Sequence, residues 1–436
     1  MSHDFSRRDV FKIGAAGVVA GAAGGMLGAK PAVAADMTFK PEAGAQLKVL
    51  RWTKFVDGDQ LLFEENSKKF TEATGVKVSL EYQSWEDIRP KAAVAANVGS
   101  GPDIIFGWFD DAHQYPDKLI DVTDVAEALG KKYEGWAPVA KAYGTRDNRW
   151  IALPFGAAGS CCVYRKSLVE QAGFKEFPKD TDGFLKLCQG LKKTGKPAGF
   201  ALGHAVGDGN DWVHWLVWTF GGRMVNEKNE VVINSPETIK ALEYAKELYD
   251  TFIPGTLSWL DPHNNKAFLS DLISLTANGI SVWVAAKKAN NPMADDIYHA
   301  AYPYGPIGQP TELHLFTSGM LFKYSKFPNA AKAYMEFMLS DPQYANWQKE
   351  SLGYFTHTLN FYDKNPIWTS DAKITPYRDT VKRMKVNGYA GTLGYTSAAA
   401  MADYIMLDMV AEAASGAATP KDAASRAEKR ARRYYG

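Results

Sequence analysis

The sequence predicts an α/β protein built of two lobes, and three observations support this fold class. The chain of 436 residues is longer than a single hydrophobic core usually organises. Its first half alternates short apolar strands with amphipathic helices, a pattern typical of largely parallel sheets. A stretch of proline and small residues at 154–160 separates two strands, as expected of a joint between lobes.

The predicted joint lies between two short strands, Trp150–Leu153 and Cys161–Tyr164. Pro154 lacks the N–H that a central strand donates, so the first strand is predicted to break there. The small residues Gly156–Ser160 allow backbone dihedrals that larger residues resist. A helix is predicted to begin near Ser167. We therefore expect a hinge between the lobes just after the proline.

The first lobe is predicted to begin with the strand Leu47–Trp52, the helix Gln60–Ala73 and the strand Val76–Glu81. Gly75 suits the left-handed position that ends many helices. A third strand, Asp103–Phe106, follows a glycine-rich turn. The remaining predicted elements are helices Asp182–Lys193, Asp211–Phe220 and Pro236–Phe252, strand Ile273–Thr276, helix Ile280–Ala289, strand Leu313–Phe322, helices 328–340 and 343–350, an extended crossing at Gly353–Thr358, and helices Pro376–Asn387, Ser397–Ala414 and Pro420–Arg433.

The composition excludes several classes of partner. There are 50 Lys and Arg residues against 49 Asp and Glu, which is no basic surface for nucleic acid or an anionic membrane. Aromatic residues make up 13% of the chain, an ample supply for lining a ligand surface. The three cysteines, Cys161, Cys162 and Cys188, are too few for a disulfide framework. Buried free thiols are expected, with a Cys162–Cys188 disulfide as the alternative.

The first 34 residues are predicted to be an export signal. Arg7 and Arg8 stand in a segment that resembles the twin-arginine export motif. The stretch Ile13–Ala29 behind them is rich in glycine and alanine, too short and too weakly apolar for a stable membrane span, which disfavours an N-terminal anchor. Ala32–Ala34 fits a cleavage site, so the mature chain is expected to start near Ala35 in the periplasm.

Several motifs together resemble one family. They are the Leu-Pro and small-residue joint followed by Val-Tyr-Arg-Lys, the segment Phe-Thr-Glu-Ala-Thr-Gly-Val-Lys-Val at 70–78, and Gly-Ser-Gly-Pro-Asp-Ile-Ile-Phe at 99–106. This set resembles the family 1 extracellular solute-binding proteins of ABC importers, over essentially the whole mature chain. The resemblance implies the type II, maltose-binding-protein-like periplasmic binding fold with three hinge crossings. It also implies lobe 1 at 35–157 plus 316–353 and lobe 2 at 158–315 plus 354–436.

Candidate ligand contacts in the first lobe follow the carboxyl ends of predicted strands, where ligands of open α/β sheets bind. Aspartates that start a helix are equally suited to capping it, and this alternative stays open for each of them. The tryptophan beside two aspartates at 108–111 suits a sugar, which offers an apolar ring face and hydroxyl groups. The candidates are Asp57, Asp59, Gln60, Trp85, Trp108, Asp110 and Asp111.

Candidate contacts in the second lobe come chiefly from the resemblance. The Asn-Gly-x-x-x-Trp turn at 278–283 matches a turn whose aromatic residues stack on sugars in the family. Ser281 stands where a maltodextrin-binding member carries its stacking tryptophan, so the resemblance does not by itself imply maltodextrin specificity. Asn210 and Asp211 are also good helix caps, and tryptophans such as Trp212 are more often core. The candidates are Asn210, Asp211, Trp212, Asn278, Ser281, Trp283 and Tyr395.

The resemblance implies a monomeric protein that captures a saccharide or polyol and delivers it to a membrane permease, without a cofactor or metal. A receptor of the same fold for a polyamine or a charged sugar derivative is the alternative. An enzyme is less favoured, since the adjacent Asp110 and Asp111 cannot flank one glycosidic bond. The sequence also lacks the common motifs of hydrolases, metalloproteases and nucleotide-binding enzymes.

Overall fold

A six-stranded and a three-stranded β-sheet organise the chain, with a further sheet of only two strands, and the structure, a computed structural model, describes residues 37–436. The strands are β1 (Gln46–Trp52), β2 (Lys77–Gln83), β3 (Ile104–Trp108), β4 (Thr145–Arg146), β5 (Arg149–Trp150), β6 (Leu153–Ala158), β7 (Cys161–Arg165), β8 (Leu275–Asn278), β9 (Ile297–Ala300), β10 (Leu315–Leu321) and β11 (Phe355–Thr356). The helices are α1 (Asp57–Thr74), α2 (Trp85–Val98), α3 (Thr123–Lys132), α4 (Pro138–Gly144), α5 (Lys166–Gln171), α6 (Thr181–Lys193), α7 (Asp208–Thr219), α8 (Pro236–Tyr249), α9 (Asp261–Leu269), α10 (Ser281–Lys288), α11 (Met293–Asp296), α12 (Pro328–Leu339), α13 (Gln343–Glu350), α14 (Ile367–Ser370), α15 (Thr380–Arg383), α16 (Tyr395–Ala402), α17 (Ile405–Ser415) and α18 (Pro420–Tyr435).

The larger sheet has six strands in the order β11–β6–β10–β3–β1–β2. β1 pairs in parallel with β2 and β3, whereas β10 runs antiparallel to both β3 and β6. The sheet is therefore mixed, not largely parallel as predicted, because β10 enters it in the opposite direction from a later part of the chain. Edge-to-face rings of Phe63, Phe106 and Phe155 pack on it and form the centre of the core.

The smaller sheet has three antiparallel strands in the order β8–β7–β9. Helix α7 packs beside it, and the side chains of Trp212 and Trp215 are buried there. Cys161 and Cys162 lie on β7 and Cys188 lies on α6, and all three are free and buried. Burial raises the pKa of each thiol, so the three cysteines behave as small apolar side chains.

Pro154 does not break the chain, and the predicted break is wrong. Pro154 is the second residue of β6, the strand that lies between β10 and β11 in the sheet. The register with β10 shifts at this point, so that Ser318 faces Pro154 and Thr317 faces Gly156. An irregularity of this kind accommodates a residue that cannot donate to the ladder. The chain leaves the larger sheet only at 159–160, just before β7.

Helix α2 has no counterpart among the predicted elements. Ser84 caps it by accepting the backbone N–H of Asp87 at 3.3 Å. Pro90 lies within the helix and removes one hydrogen bond, so the sequence there is typical of a helix break. The alanines of the second half are buried against the larger sheet and hold the helix in place. The helix matters for the site because Trp85 is its first residue.

Tertiary contacts interrupt two predicted helices. Of the helix predicted at 376–387, only α15 forms an α-helix, because the backbone of Met384 and Lys385 pairs with that of Glu312. The helix predicted at 397–414 is divided into α16 and α17 at Tyr404, whose φ is 52°. This left-handed conformation ends a helix, and the Tyr404 ring stacks on His204 with 4.3 Å between centroids.

The chain passes from the larger to the smaller sheet at 159–160 and returns through 301–314. β11 pairs with β6, and the Tyr362 hydroxyl donates to the carbonyl of Leu339, so this region lies with the larger sheet. The predicted lobe boundaries stay a prediction. We propose that the second segment of lobe 1 ends after α14 and not at 353. The predicted export signal at 1–34 lies outside the described residues. Among residues 37–436, no helix is long and apolar enough to cross a membrane.

Candidate functional site

A small cavity with about 20 Å³ of free space lies between the two sheets, and residues from both sides form its walls. This space holds about one water molecule. The larger-sheet side contributes one aromatic residue each from the β1–α1 loop, the start of α2 and the α13–β11 loop. The smaller-sheet side contributes polar residues of α7, α9 and the β8–α10 turn. The lining residues are Phe55, Trp85, Ala158, Gly207, Asp208, Asp211, Asp261, Asn265, Asn278, Gly279, Ser281, Leu315 and Tyr354.

Asp261 caps helix α7 from the neighbouring helix α9. Its carboxylate accepts the backbone N–H groups of Val206 at 2.8 Å and Asp208 at 2.7 Å, and that of Gly207 at 3.2 Å. The residue before α7 is a glycine with no side chain to satisfy these donors, so the cap comes from elsewhere in the fold. Burial raises the pKa of Asp261 to about 7, although the three N–H groups oppose this shift.

Asp208 and Asp211, in the first turn of α7, line the same cavity. Asp208 accepts a hydrogen bond from the amide of Asn264 at 2.8 Å. Oδ1 of Asp211 is buried and has no hydrogen-bond partner within residues 37–436. Burial raises the pKa of both carboxyl groups well above the ordinary value, and the other carboxylates at the cavity raise it further. The cavity therefore has an acidic end with unused hydrogen-bonding capacity.

Three polar side chains beside the aspartates form a closed ring of hydrogen bonds. The amide of Asn265 donates to Ser281 Oγ at 2.9 Å, Ser281 donates to Asn278 Oδ1 at 3.0 Å, and Asn278 donates to Asn265 Oδ1 at 2.5 Å. Each member orients the next, so the ring presents fixed donors and acceptors without a charge. Both amides keep a further N–H, and an amide oxygen has two lone pairs, so a ligand can hydrogen-bond without breaking the ring.

Aromatic side chains form the other wall of the cavity. The Trp85 ring packs edge-to-face on Phe55 with 4.7 Å between centroids. A Cβ atom built on Gly207 would lie 2.8 Å from this ring, so the glycine allows the close approach of Trp85 to α7. Nε1 of Trp85 is buried and has no partner in the described chain. The wall thus offers an apolar face with one free donor at its edge.

Asp211→Asn is expected to stabilise the ligand-free protein, by about 1–3 kcal/mol at pH 8 and by less at pH 5. The folded-state pKa of Asp211 is raised, so the folded state binds more protons than the unfolded chain and stability falls as pH rises above about 4. Asparagine does not titrate, so the variant lacks this loss. Urea unfolding at both pH values measures the difference. An equal effect at the two pH values would show that Asp211 is not desolvated as described.

Four of the predicted contacts lie on the cavity: Trp85, Asp211, Asn278 and Ser281. They come from three separate elements, α2, α7 and the β8–α10 turn, which only the folded chain brings together. Asp211 is in the first turn of α7 but is not its cap, because the carboxylate of Asp261 takes that role. The cavity is thus where these four side chains meet.

Several other predicted contacts lie in the interior, away from the cavity. Asp59 is fully buried and pairs with Arg51 at 2.5 Å. Trp108 is fully buried behind Trp85 and donates to the carbonyl of Trp85 at 2.9 Å. Trp212 donates to the carbonyl of Ala201 at 2.7 Å, and Trp283 is 2% exposed. Asp59, Trp108 and Trp212 have hydrogen-bond partners within the protein and Trp283 is buried, so all four belong to the core in this structure.

Asp110 and Asp111 connect parts of the fold. Asp110 accepts from the amide of Asn387 at 2.9 Å and from Ser397 Oγ at 2.5 Å, and burial raises the pKa of Asp110 to about 6. Asp111 pairs with Arg89 at 2.7 Å. Asn210 lies nearby on a separate small cavity, which Asn387 and Ser397 also line. None of the three lines the cavity between the sheets.

The last three predicted contacts lie outside both cavities. Asp57 is half-buried at the start of α1 and forms an ion pair with Lys288 of α10. The amide of Gln60 donates to Glu64 on the same helix at 2.8 Å. Tyr395 is 60% exposed at the start of α16.

The sequence analysis missed Asp208, Asp261, Asn265, Phe55 and Tyr354 as cavity residues. Asp208 lies within the segment already singled out at 207–212, and Tyr354 lies in the predicted crossing at 353–358, so both carried a local signal. Asp261 precedes a proline at a helix start, which is typical of a cap. That it caps a different helix follows from packing alone, and no local pattern reports it.

Comparison with protein families finds a match over residues 66–376 to the family described as bacterial extracellular solute-binding protein. A Brucella abortus (strain 2308) protein described as a binding protein is 23% identical over 329 residues, covering 72% of this chain and 74% of that protein. The diacetylchitobiose binding protein DasA of Streptomyces coelicolor is 25% identical over 289 residues, covering 63% of this chain and 65% of that protein.

Among solved structures, maltose-bound MalE3 of T. maritima superposes with a TM-score of 0.78 at 16% identity. The superposition covers 89% of this chain and 99% of that one. At this identity the likeness establishes the fold, and it agrees with the maltose-binding-protein-like arrangement that the sequence predicts. The family match covers most of the chain, and on that ground the chain belongs to the bacterial extracellular solute-binding proteins.

Proposed function

We propose that this protein captures a saccharide in the cavity between its two sheets and delivers it to the permease of an ABC importer. The observation that carries the proposal is the make-up of that cavity. Aromatic faces of Phe55, Trp85 and Tyr354 line it together with a dense set of hydrogen-bonding groups. Sugars need this combination, since each ring offers an apolar C–H face and a rim of hydroxyl groups.

Unused hydrogen-bonding capacity supports the same proposal. The buried indole N–H of Trp85 is a free donor, and Oδ1 of Asp211 is a free acceptor, among the described residues. Buried polar groups are nearly always paired, so such atoms at a cavity wall point to a ligand that completes them. The names of two relatives agree in kind, since DasA is described as binding diacetylchitobiose and MalE3 was solved with maltose.

In this proposal the ligand is bound when the two lobes close on it, and contacts beside the cavity join the lobes in the closed form. Asp57 of α1 pairs with Lys288 of α10, and Asp110 holds Ser397 of the C-terminal region. In the proposed mechanism these contacts separate when the lobes open, and ligand that touches both sides shifts the population to the closed form. The protein acts by binding, without catalysis, and as a monomer.

Export completes the proposed function. A solute-binding protein that serves a membrane importer works outside the cytoplasm, and the family description is extracellular. We propose export through the twin-arginine signal at Arg7 and Arg8, cleavage near Ala34 and residence in the periplasm.

Thermal unfolding with a panel of ligands tests the proposed function. The panel contains common monosaccharides, maltose, diacetylchitobiose, and the polyamines putrescine and spermidine. At least one saccharide should stabilise the protein, by about 2.7 kcal/mol when present at 100 times its Kd. Calorimetry then measures the Kd and a stoichiometry of one. Stabilisation by polyamines alone, with no response to any saccharide, would overturn the proposal.

A further inference from the structure

The acidic end of the cavity lacks positive charge. The charged groups acting on Asp208 and Asp211 are other carboxylates: Asp261 acts on Asp208, and Asp208 and then Asp261 act on Asp211. No Lys, Arg or His of residues 37–436 is among them. Asp261 in turn lies near the carboxylate of Glu86, whose Oε1 is buried without a partner in the described residues. Buried carboxylates in native proteins are usually paired with a cation or hold a metal. Within residues 37–436 this group of acids has no cationic partner.

The protein neutralises these acids only in part. Three backbone N–H groups at the N-terminus of α7 donate to the Asp261 carboxylate. The positive end of the helix dipole also favours the negative charge of Asp261. Asp208 has a single amide donor, from Asn264. Asp211 keeps one buried oxygen free within 37–436. Asp208 and Asp211 are therefore the two carboxylates that lack a full set of hydrogen-bond donors and a positive counter-charge.

The aromatic wall opposite the aspartates suits a ligand that has both a positive charge and hydroxyl groups. Trp85, Phe55 and Tyr354 surround the cavity, and aromatic faces attract cations as well as sugar C–H groups. The free N–H of Trp85 is suited to a hydroxyl oxygen, which a polyamine does not have. The neutral ring of Asn265, Ser281 and Asn278 likewise suits hydroxyl groups. Among residues 37–436, no three His, Cys, Asp or Glu side chains are placed to hold a metal ion.

On the basis of the proposed function, we infer that the ligand is an amino sugar, a saccharide that carries an ammonium group. Asp208 and Asp211 receive the ammonium through charge-assisted hydrogen bonds. The asparagine–serine ring and the indole N–H bind the hydroxyl groups, and Trp85 covers one face of the sugar.

Calorimetry with matched pairs of sugars tests the inference. The pairs are glucosamine and glucose, galactosamine and galactose, and chitobiose with free amines beside diacetylchitobiose. In at least one pair the amine should bind at least about tenfold more tightly than the neutral sugar. The reason is that its ammonium group pairs with a buried carboxylate that otherwise has no counter-charge. Its affinity should fall as salt rises from 0.01 M to 0.1 M, where the screening length shrinks from about 30 Å to about 10 Å.

Asp211→Asn should reduce the preference for the amine at least several-fold, because only Asp208 then remains to receive the ammonium. Glu81→Gln, an exposed carboxylate on β2, is the matched control and should keep the preference. Tighter or equal binding of the neutral sugars would overturn the inference and leave the proposed saccharide function intact. Binding of no sugar in any pair would count against the proposed function, and the inference would fall with it.

Discussion

Asp59→Asn is expected to lower the free energy of unfolding of the larger-sheet lobe by about 3–5 kcal/mol, because it leaves the buried Arg51 without a counter-ion. Both side chains are fully buried, 2.5 Å apart. The Asp59 carboxylate also accepts the indole N–H groups of Trp52 at 2.8 Å and Trp347 at 3.1 Å. One carboxylate thus ties β1, α1 and α13 together, and urea unfolding at pH 7 measures its contribution.

A control lies two residues earlier on the same helix. Asp57 is half-exposed, and Asp57→Asn should cost less than about 1 kcal/mol, as exposed ion pairs do. The double variant Asp59→Asn/Arg51→Met removes both members of the pair and should recover part of the loss. If Asp59→Asn costs no more than Asp57→Asn, the buried pair is not the tie described here. Ligand affinity should be unchanged wherever the variant is folded, because Asp59 does not line the cavity.

Trp85→Ala is expected to weaken ligand binding by about 2–4 kcal/mol, or about 30- to 1,000-fold in Kd. The variant removes the aromatic wall that packs against Gly207 and exposes the acidic end of the cavity to water. Trp85→Phe keeps an aromatic face but lacks the indole N–H, so it should lose only about 0.5–1.5 kcal/mol. Calorimetry with the best ligand of the panel measures both variants.

Trp136→Phe is the matched control for the loss of an indole N–H. Trp136 is also nearly buried, its N–H donates to the carbonyl of Ala126 at 2.8 Å, and it does not line the cavity. This variant should cost stability and leave the Kd unchanged. A Kd within threefold of the wild type for a folded Trp85→Ala would mean that Trp85 is a packing residue and not a wall of the ligand site.

Prediction from the local sequence pattern succeeded for elements whose own residues determine their secondary structure. The alternation of apolar strands and helices over 47–81 predicted β1, α1 and β2 to within a few residues, because hydrophobic periodicity reflects which face each element buries. It failed at Pro154, where a register shift in β10 makes room for a proline within a strand. It also failed at 384–385, where the backbone pairs with Glu312 instead of continuing a helix.

The sequence by itself determined the fold class and the family, since both depend on the order of elements and on motifs that are continuous in the chain. Tertiary structure alone decided which polar residues form the site. Asp59 and Asp211 look alike in sequence, each near the start of a helix, yet one is paired with Arg51 and the other lies on the cavity with a free oxygen. The difference arises because a buried carboxylate is defined by its neighbours, and those neighbours come from distant parts of the chain.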